Sequence, residues 1–401
     1  MIFTVDRLPE DYTQVIVWID QLREKLRFAT SDSLHRWTGL LARLSLARAI
    51  QGSNTIEGIN VTLDDAVAAV DREIPAKPMD EDWQAVMGYR EAMDYIIQLS
   101  KDPDKYAHNR GTLLSLHYMM MKYDLTRDPG RIRPGPIYVT NTATGKTEYE
   151  GPSAEIVSSL VDELIACLNA KSDLPVIVRA AMAHLNLAMI HPFRDGNGRM
   201  ARALQTMVLS RDGILSPVFS SIEEYVGRNS QDYYNVLREV GQGHWRPERD
   251  PLPWVRFCLV AHYRQARTLL RRLSEMSRMW AEIEVEIKRR KMPERMIYAV
   301  ADAALGLQVR NPTYRKQADI TNQVAKLDLK RLVDTGLLAP KGERRGRYYT
   351  AEELVRQIAK RARIPREETD PFAELAALTR NAEAPIQPEL PEFPDAAGRI
   401  Q

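Results

Sequence analysis

The sequence is poor in cysteine, has no long apolar run and carries almost no net charge. Its two cysteines, Cys167 and Cys258, lie far apart and lack metal-ligand spacing, which argues against a disulfide framework and against a zinc site. No window approaches the roughly 18 apolar residues of a membrane span, and the N-terminus has no basic segment followed by an apolar run. We therefore expect a cytoplasmic protein without a membrane partner.

The charges nearly cancel, with 56 basic residues against 54 acidic ones. Any surface that binds nucleic acid must therefore be local, because the chain as a whole has no large basic excess. At 401 residues and 44% hydrophobic composition, the chain can bury a large core, and we expect more than one domain.

Apolar residues recur at helical spacing through most of the first 290 residues, whereas the alternation typical of strands is scarce. The exception is a segment in which Ile137, Tyr138 and Val139 lead through a turn to Tyr149. This pattern predicts a β-hairpin with an exposed tip. The rest of the large domain is predicted to be mainly α-helical.

The stretch His191–Arg202, HPFRDGNGRMAR, lies between two predicted helices, one over residues 175–190 and one that begins near Asn197. If Gly196, Asn197 and Gly198 form the turn into the second helix, their backbone N–H groups point outward together. The positive end of the helix dipole adds to them, which makes an anion-binding site. Glycine suits such a turn because a phosphate can approach the backbone where no Cβ intervenes.

Four charged or titratable side chains flank this turn. Arg199 and Arg202 are three residues apart and share a helix face, which suits the oxygens of a polyphosphate. Asp195 precedes the turn, where one carboxylate together with phosphate oxygens suits Mg²⁺. His191 ends the preceding helix, where an imidazole can take a proton from an attacking hydroxyl. Taken singly, each residue also fits an ordinary helix end, turn or solvated surface.

The combination resembles the signature of the Fic family, HPFx(D/E)GNGRxxR, and every fixed position is matched. The resemblance implies a helical catalytic core and, most often, transfer of AMP from ATP to a Ser, Thr or Tyr hydroxyl of a protein, with release of pyrophosphate. The roles it implies are general base for His191, magnesium ligand for Asp195, cradle of the α-phosphate for Gly196, Asn197 and Gly198, and ligands of the distal phosphates for Arg199 and Arg202.

A second segment, SNTIEGIN, matches the inhibitory pattern of the family, (S/T)xxxE(G/N), at Ser53, Glu57 and Gly58. The resemblance implies that Glu57 pairs with Arg202 and blocks the productive pose of the ATP γ-phosphate. The alternative is an ordinary helix-end glutamate in a surface ion pair, worth roughly 0–1 kcal/mol.

Two further features follow from the resemblance. In the family, a hairpin upstream of the motif docks the backbone of the target protein, and the strand Ile137, Tyr138, Val139 is placed to do so at an exposed edge. A plain surface hairpin is the alternative. Tyr233 and Tyr234 resemble the segment that lines the nucleobase pocket, although paired tyrosines on a helix also pack in cores.

Residues 311–350 resemble a winged helix-turn-helix and carry nine Lys or Arg against four Asp or Glu, a local net charge of +5. Basic side chains of such a domain can meet DNA phosphates. Folds of this type are also reused for protein contacts or for a homodimer. The basic residues concerned are Lys326, Lys330, Arg331, Lys341, Arg344, Arg345 and Arg347.

We therefore predict a mainly α protein, in which a Fic-type helical catalytic domain with a small β-hairpin flap is followed by a winged helix-turn-helix domain. The predicted segments are an N-terminal helical region with the inhibitory helix (1–110), the Fic catalytic core (111–260), connecting helices (261–292), the winged helix domain (293–362) and a tail (363–401) that is expected to be disordered apart from a short helix near Phe372.

The predicted function is a self-inhibited protein adenylyltransferase that uses ATP and Mg²⁺ and modifies a protein hydroxyl, including one of its own. One alternative keeps the same residues but removes AMP or transfers another phosphate-containing group, with Glu57 orienting water. Another is a nucleotide-sensing, DNA-binding regulator. The intact His191 and Asp195 argue against a pure sensor, which needs no base.

Overall fold

The computed structural model describes residues 1–31, 38–73, 80–102, 106–140, 145–211, 216–343 and 346–380. Its helices are α1 (Glu10–Ser31), α2 (Thr38–Ile56), α3 (Leu63–Asp71), α4 (Glu81–Leu99), α5 (Arg110–Met121), α6 (Ala154–Asn169), α7 (Val176–Ile190), α8 (Asn197–Ser210), α9 (Pro217–Ser220), α10 (Glu223–Arg228), α11 (Ser230–Gly241), α12 (Leu252–Arg289), α13 (Ile297–Ala304), α14 (Asn311–Gln317), α15 (Asn322–Asp334), α16 (Glu353–Ala362) and α17 (Pro371–Arg380). Short 3₁₀ turns cover Leu125–Arg127 and Glu294–Met296, and the strands are β1 (Tyr138–Thr140), β2 (Thr147–Glu150), β3 (Leu338–Lys341) and β4 (Tyr348–Ala351). The prediction of a mainly α protein is confirmed.

The helices α7 and α8 form the centre of the core, and nearly every side chain of both is buried. The long helix α12 packs against α7, where the indole N–H of Trp254 donates to the Ala181 carbonyl at 2.7 Å. The same helix continues past the core, and its distal end, with Ile283 and Ile287 buried, packs against the C-terminal helices. One continuous helix therefore connects the two halves of the chain.

The helix α2 lies unusually close to α10. A Cβ placed on Gly52 would lie 2.3 Å from the backbone oxygen of Glu223, and one placed on Gly227 would lie 2.6 Å from the Gly52 Cα. Only residues without a side chain allow this approach. Gly52 and Gly227 therefore allow the backbones of α2 and α10 to pack in direct contact.

A buried arginine ties α2 to its other neighbours. Arg43 donates to both carboxylate oxygens of Asp71 at 2.7–3.0 Å and to both oxygens of Asp302 at 2.9–3.0 Å. Since Asp71 ends α3 and Asp302 lies on α13, one guanidinium connects α2 to both helices. Bidentate pairs of this kind fix geometry as well as charge.

The C-terminal region places α13, α14 and α15 before the antiparallel pair β3 and β4, in which Leu338 faces Ala351 and Lys341 faces Tyr348. Val309 and Tyr349 exchange both of their backbone hydrogen bonds. The assignment as a winged helix, and its binding of DNA, stay predictions. Among the basic residues named above, Arg344 and Arg345 lie outside the described residues.

The predicted tail, residues 363–401, contains one helix in its described part, α17, at the position of the short helix expected near Phe372. Phe372 is buried against the ring of Tyr12, and the Arg256 guanidinium lies 3.8 Å from the Phe372 ring centroid. Glu374 accepts from the Tyr263 hydroxyl at 2.8 Å. One aromatic anchor and one acid therefore hold α17 against α1 and α12, in a segment whose composition gave only a weak signal. Residues 381–401 lie outside the described residues.

No helix among the residues described is both long and apolar enough to cross a bilayer.

We expect Gly52→Ala to lower the midpoint of thermal unfolding, since the added methyl meets a backbone oxygen that cannot move away without shifting α10. Overpacking of this kind costs about 1–3 kcal/mol. Gly39→Ala in the same helix is the matched control, because a Cβ there has no neighbour within 4 Å. Differential scanning fluorimetry of both variants checks this, and equal midpoints would contradict the close α2–α10 contact.

Candidate active site

His191 follows the last residue of α7 and takes a left-handed backbone conformation, with φ of 51°. Its Nδ1 lies 3.0 Å from the carbonyl of Ala188, which can only accept, so Nδ1 carries the proton. The neutral ring therefore presents Nε2 as an acceptor. Burial lowers the pKa of His191, which keeps the imidazole neutral at physiological pH. The side chain is thus prepared to accept a proton.

The loop after His191 is closed by the side chain of Asn197. The Asn197 amide oxygen accepts from the Phe193 N–H at 2.9 Å, and its amide nitrogen donates to the Phe193 carbonyl at 2.8 Å. Both residues are buried. Asn197 therefore shapes the turn through its side chain, in addition to the backbone role predicted from the sequence.

His117 on α5 is a residue that sequence reasoning missed. Its ring stacks on Phe193 with centroids 3.7 Å apart, and its Nδ1 accepts from the Gly130 N–H at 2.8 Å. The proton therefore sits on Nε2, which donates to the backbone carbonyl of Asp195 at 2.9 Å. Burial lowers the pKa of His117 to about 4. No local pattern marks this residue, because its partners are distant in sequence.

Gly196 directly precedes α8 as its N-cap, with φ of 75°, and a Cβ there would lie 2.9 Å from the Met121 sulfur. Asp195 directly before it has a side chain that is 40% exposed, and its Oδ1 accepts from the Gly196 N–H at 2.6 Å. The other oxygen, Oδ2, lies 3.8 Å from Arg127 Nε. Among the described residues, no group of three or more acids, histidines or cysteines is placed to hold a metal. A single carboxylate fits Mg²⁺ only together with phosphate oxygens.

Arg199 is a buried cation that makes no ion pair with a carboxylate among the residues described. Its Nη2 contacts the Met121 sulfur at 2.9 Å and the Tyr123 hydroxyl at 3.4 Å. Its Nε and Nη1 have no hydrogen-bond partner among the described residues. Because a buried charge without a counter-ion is costly, this guanidinium is suited to an incoming anion.

Arg202 is 1% exposed and meets the end of α2. Its Nε donates to the Ser53 hydroxyl at 2.9 Å, and its Nη2 donates to the Ser53 carbonyl at 3.0 Å and to Glu57 Oε1 at 2.6 Å. Arg202 Nη1 has no partner within the described part of the chain. The structure thus brings together the two segments that the sequence marked 145 residues apart.

The Glu-Gly pair at the end of α2 is explained by helix capping. The Ile59 N–H donates to the Asn54 carbonyl at 3.2 Å, and the Gly58 N–H donates to the Thr55 carbonyl at 3.0 Å. This is a Schellman motif, which needs a left-handed residue, and Gly58 has φ of 79°. Glu57 is therefore the C-cap residue of α2, directly before the glycine that ends the helix.

The Glu57 carboxylate lies over the first turn of α8. A Cβ placed on Gly198 would lie 2.3 Å from Glu57 Oε1. Burial acts to raise the pKa of Glu57, but Arg202 and Arg199 outweigh it and hold that pKa below its ordinary value. An ionised carboxylate therefore occupies the position where the sequence predicts a phosphate.

Arg133 holds the histidine loop and the hairpin together, and the sequence analysis missed it as well. Within the described ranges, this buried guanidinium donates only to backbone carbonyls. They are those of His191 at 2.8 Å, Pro152 at 2.6 Å, Ile190 at 3.5 Å and Gly135. Since Gly135 and Pro152 flank the hairpin, one side chain fixes both its base and the loop of the candidate base.

The hairpin predicted from the sequence consists of β1 and β2, with Tyr138 facing Glu150. The Tyr149 hydroxyl donates to the Met189 carbonyl at 2.9 Å, which anchors β2 beside the end of α7. Glu150 N–H donates to the Gly243 carbonyl, so part of the outer edge of β2 is paired. Within the described ranges, β1 pairs only with β2, and Tyr138 is 53% exposed.

The two tyrosines expected at the nucleobase differ in position. Tyr233 is only 2% exposed, and its hydroxyl lies 3.1 Å from His184 Nε2 inside a cluster of aromatic rings. This burial places Tyr233 in the core. Tyr234 is 41% exposed, and its hydroxyl donates to the Ile56 carbonyl at 3.1 Å. Only Tyr234 lies at the surface beside the end of α2.

Comparison with known proteins agrees with the motif and the helical fold. Residues 108–209 match the model of the Fic/DOC family, so this region of the chain is similar to a Fic domain. A Fic family protein of solved structure from Desulfovibrio desulfuricans G20 superposes with a TM-score of 0.55 at 19% identity, covering 86% of this chain and 97% of that one. At this identity the likeness shows the fold alone.

Two curated relatives carry names that describe an activity. Protein adenylyltransferase fic-1 of Caenorhabditis elegans is 30% identical over 198 residues, which are 48% of this chain and 36% of that protein. Protein adenylyltransferase Fic of Nematostella vectensis is 28% identical over 237 residues, which are 57% of this chain and 51% of that protein. The matched region thus spans about half or less of these relatives.

We expect Arg133→Met to accelerate amide hydrogen exchange in the hairpin and at His191. The substitution removes a charged donor from four carbonyls, and hydrogen bonds to charged groups contribute about 1.5–3 kcal/mol, or roughly 10–100-fold in local opening. The exposed neighbour Arg131, changed to Met, is the matched control. Equal exchange rates in the two variants would contradict the role of Arg133 in holding the hairpin to the His191 loop.

A pH series tests His117. Its pKa of about 4 in the folded protein lies below the ordinary 6.5, so its contribution to stability is present above pH 6.5 and lost as the pH falls toward 4. His117→Phe keeps the ring on Phe193 but does not titrate. We expect this variant to be destabilised at pH 7, with the difference from the parent shrinking by up to about 3 kcal/mol toward pH 4. A difference in unfolding free energy that stays constant with pH would contradict the assignment.

Proposed function

We propose that this protein is a self-inhibited adenylyltransferase that transfers AMP from ATP to a hydroxyl of a protein. The observation that carries the proposal is that Arg199 and Arg202, both buried on the first turns of α8, have N–H groups without hydrogen-bond partners among the described residues, and that both arginines lower the pKa of Glu57. A triphosphate supplies the anions that these groups lack. The names of the two curated relatives support this activity.

In the proposed reaction, the hydroxyl oxygen of the target attacks the α-phosphorus of ATP. The bond between the α-phosphorus and the bridging oxygen breaks, and pyrophosphate leaves with the electron pair. The hydroxyl proton passes to His191 Nε2, the nitrogen left free by the bond from Nδ1 to Ala188. A base held in one orientation needs no rearrangement before proton transfer.

Asp195 is the residue that would hold Mg²⁺, since its carboxylate is exposed beside the turn. When bound, the ion would neutralise charge on the phosphate oxygens. The remaining stabilisation falls to the backbone N–H groups of the turn and to the two arginines, which are fixed before the substrate arrives. Arg199 offers Nε and Nη1, and Arg202 offers Nη1.

Inhibition follows from the position of Glu57. Its carboxylate accepts from Arg202 Nη2 at 2.6 Å and lies against Gly198, so a phosphate at the same place would meet a like charge. The pair is only a quarter exposed on the Glu57 side and buried on the Arg202 side, which limits solvent screening. ATP would therefore bind, if at all, with its distal phosphates misplaced.

The target protein would dock at the free edge of β1. Main-chain pairing at such an edge gives affinity with little demand on the target sequence. Tyr149 and Arg133 hold the hairpin at a fixed place beside His191, which would bring the bound segment to the base. A hydroxyl of this same protein is one candidate target.

We expect Glu57→Gly to increase AMP transfer by about 10–100-fold, because a charge-assisted pair of about 1.5–3 kcal/mol no longer competes with the phosphates. Intact-mass spectrometry after incubation with ATP and Mg²⁺ measures the adduct. Glu57→Gln keeps the size of the side chain but loses its charge. This variant therefore distinguishes charge repulsion of the ATP phosphates from steric obstruction of them.

The control is the double variant Glu57→Gly, His191→Ala, which should lose transfer by about 10²–10⁴-fold because the general base is missing. Transfer at equal rates in the parent and in Glu57→Gly would contradict inhibition by Glu57. Equal transfer with and without His191 would contradict the proposed base.

Removal of AMP is the second candidate, and one observation favours it. Glu57 is ionised, a quarter exposed and close enough to His191 to affect the pKa of that ring, so it could orient a water molecule. The AMP-modified product of the first experiment, incubated with parent protein or Glu57→Gly, distinguishes the two. Removal by the parent alone would assign Glu57 to this reaction.

A further inference from the structure

A row of four buried polar side chains crosses the core behind the candidate active site. The Tyr233 hydroxyl on α11 lies 3.1 Å from His184 Nε2 on α7, and His184 Nδ1 lies 2.6 Å from Gln205 Oε1 on α8. Gln205 Nε2 lies 3.1 Å from His262 Nε2 on α12. Each of these side chains is at most 6% exposed. The proposed reaction assigns no role to any of them.

Arg202 lies at one end of this row, one helical turn before Gln205 on α8. Burial has the largest effect on the pKa of Tyr233 and on that of His184, and the charge of Arg202 acts to lower both, so the guanidinium is close to the two side chains. A guanidinium has no acceptor, and its charge repels a hydroxyl proton. The Tyr233 O–H bond therefore points away from Arg202, and the hydroxyl oxygen faces the guanidinium.

This arrangement at Arg202 fixes the direction of every hydrogen bond in the row. The Tyr233 hydroxyl donates to His184 Nε2, so the proton of that ring sits on Nδ1 and is donated to Gln205 Oε1. The Gln205 amide nitrogen then donates to His262 Nε2. Each contact thus pairs one donor with one acceptor, as a buried polar network requires.

Both histidines of the row are neutral. Burial lowers the pKa of His184 and that of His262 to about 3 each. Since neither ring takes up a second proton at physiological pH, the direction of the hydrogen bonds stays the same.

Aromatic packing holds the end of the row that faces Arg202. The ring of Trp254 lies against both neighbours, with its centroid 4.7 Å from that of His184 and 5.9 Å from that of Tyr233. The phenolic oxygen is therefore fixed by the packing of its ring as well as by its hydrogen bond.

We propose that Tyr233 is a positioning residue for Arg202. Its hydroxyl oxygen, turned toward the guanidinium by the hydrogen bonds through His184 and Gln205, keeps the Arg202 donors directed at the turn of α8, where the distal phosphates of ATP would bind. The proposal rests on the proposed function, because it assigns Arg202 to those phosphates. It gives Tyr233 a role at the phosphates instead of the nucleobase contact that the sequence suggests.

The chemistry of the hydroxyl suits this role. Glu57 and Ser53 hold Arg202 in the inhibited state, and a phosphate must replace the Glu57 carboxylate. A second carboxylate at the position of Tyr233 would neutralise the guanidinium and weaken its attraction for the phosphate. A neutral oxygen orients the guanidinium and leaves its charge available.

Nucleotide binding tests the proposal, in a background of Glu57→Gly with His191→Ala, which lacks the competing carboxylate and the base. Isothermal titration with ATP and Mg²⁺, and separately with AMP, compares a nucleotide that has distal phosphates with one that lacks them. Tyr233→Phe should weaken ATP binding by about tenfold, the scale of one hydrogen bond to a charged group, and AMP binding by less than about twofold. Equal weakening of both nucleotides would place Tyr233 at the nucleobase and overturn the proposal, as would unchanged ATP binding.

Two further variants in the same background separate this role from a general loss of stability. Tyr263→Phe is the matched control, because Tyr263 is a buried tyrosine whose hydroxyl donates to Glu374, outside the row. It should change ATP binding by less than about twofold. Gln205→Met keeps Tyr233 but removes the acceptor of His184 Nδ1, and it should weaken ATP binding by about threefold without an effect on AMP. Unchanged ATP binding in Gln205→Met would disconnect the row from Arg202 and overturn the assignment.

Nitrogen NMR of the histidine side chains tests the direction of the hydrogen bonds without any nucleotide. In the parent protein at about pH 7, His184 should carry its proton on Nδ1 and none on Nε2, with its signals identified by their loss in His184→Gln. A proton on Nε2 would turn the Tyr233 hydroxyl proton toward Arg202 and overturn the proposal. If no variant binds ATP, the proposed function fails, while the position of the His184 proton still decides whether Tyr233 can face Arg202 as an acceptor.

Discussion

The buried guanidinium of Arg202 is the constraint on which the rest of the site depends. It projects from the first turns of α8 into an interior where solvent reaches about 1% of its surface, so the protein must supply acceptors. Ser53 gives a hydroxyl and a carbonyl, and Glu57 gives the only carboxylate among the hydrogen-bond partners of Arg202 that the structure describes. A second buried arginine, Arg199, makes no hydrogen bond to a carboxylate within the described part of the chain. The site thus has more cation than anion, which is the state expected of a polyphosphate site that an internal carboxylate fills in part.

Glu57 reaches Arg202 only because the C-terminal end of α2 lies beside the first turns of α8. Gly52 lets the helix approach α10, Gly58 stops it with a left-handed cap, and Arg43 links its other end to the C-terminal helices. These contacts connect segments that are up to 259 residues apart. If Glu57 inhibits the site, a structural change at a distant contact of α2 would alter that inhibition, since a rigid helix passes movement along its axis.

The residues of the candidate site that lie within one segment could be predicted from the sequence. The stretch His191–Arg202 is contiguous, and Glu57 sits in a short recognisable pattern. His117 and Arg133 could not be predicted, because they act on backbone groups that only the tertiary fold brings near, and a lone histidine or arginine carries no spacing signal. Tyr233 shows the converse: a local pattern suggested a pocket, but the packing of neighbouring rings put the side chain in the core.

The central claim is that the free N–H groups of Arg199 and Arg202 are phosphate ligands from which Glu57 keeps ATP away. A crystal structure of Glu57→Gly with ATP and Mg²⁺ tests this most directly. The account predicts phosphate oxygens within hydrogen-bonding distance of Arg199 Nε or Nη1 and of Arg202 Nη1, with the α-phosphate at the turn of α8. A triphosphate bound elsewhere, with these groups still unpartnered, would contradict it.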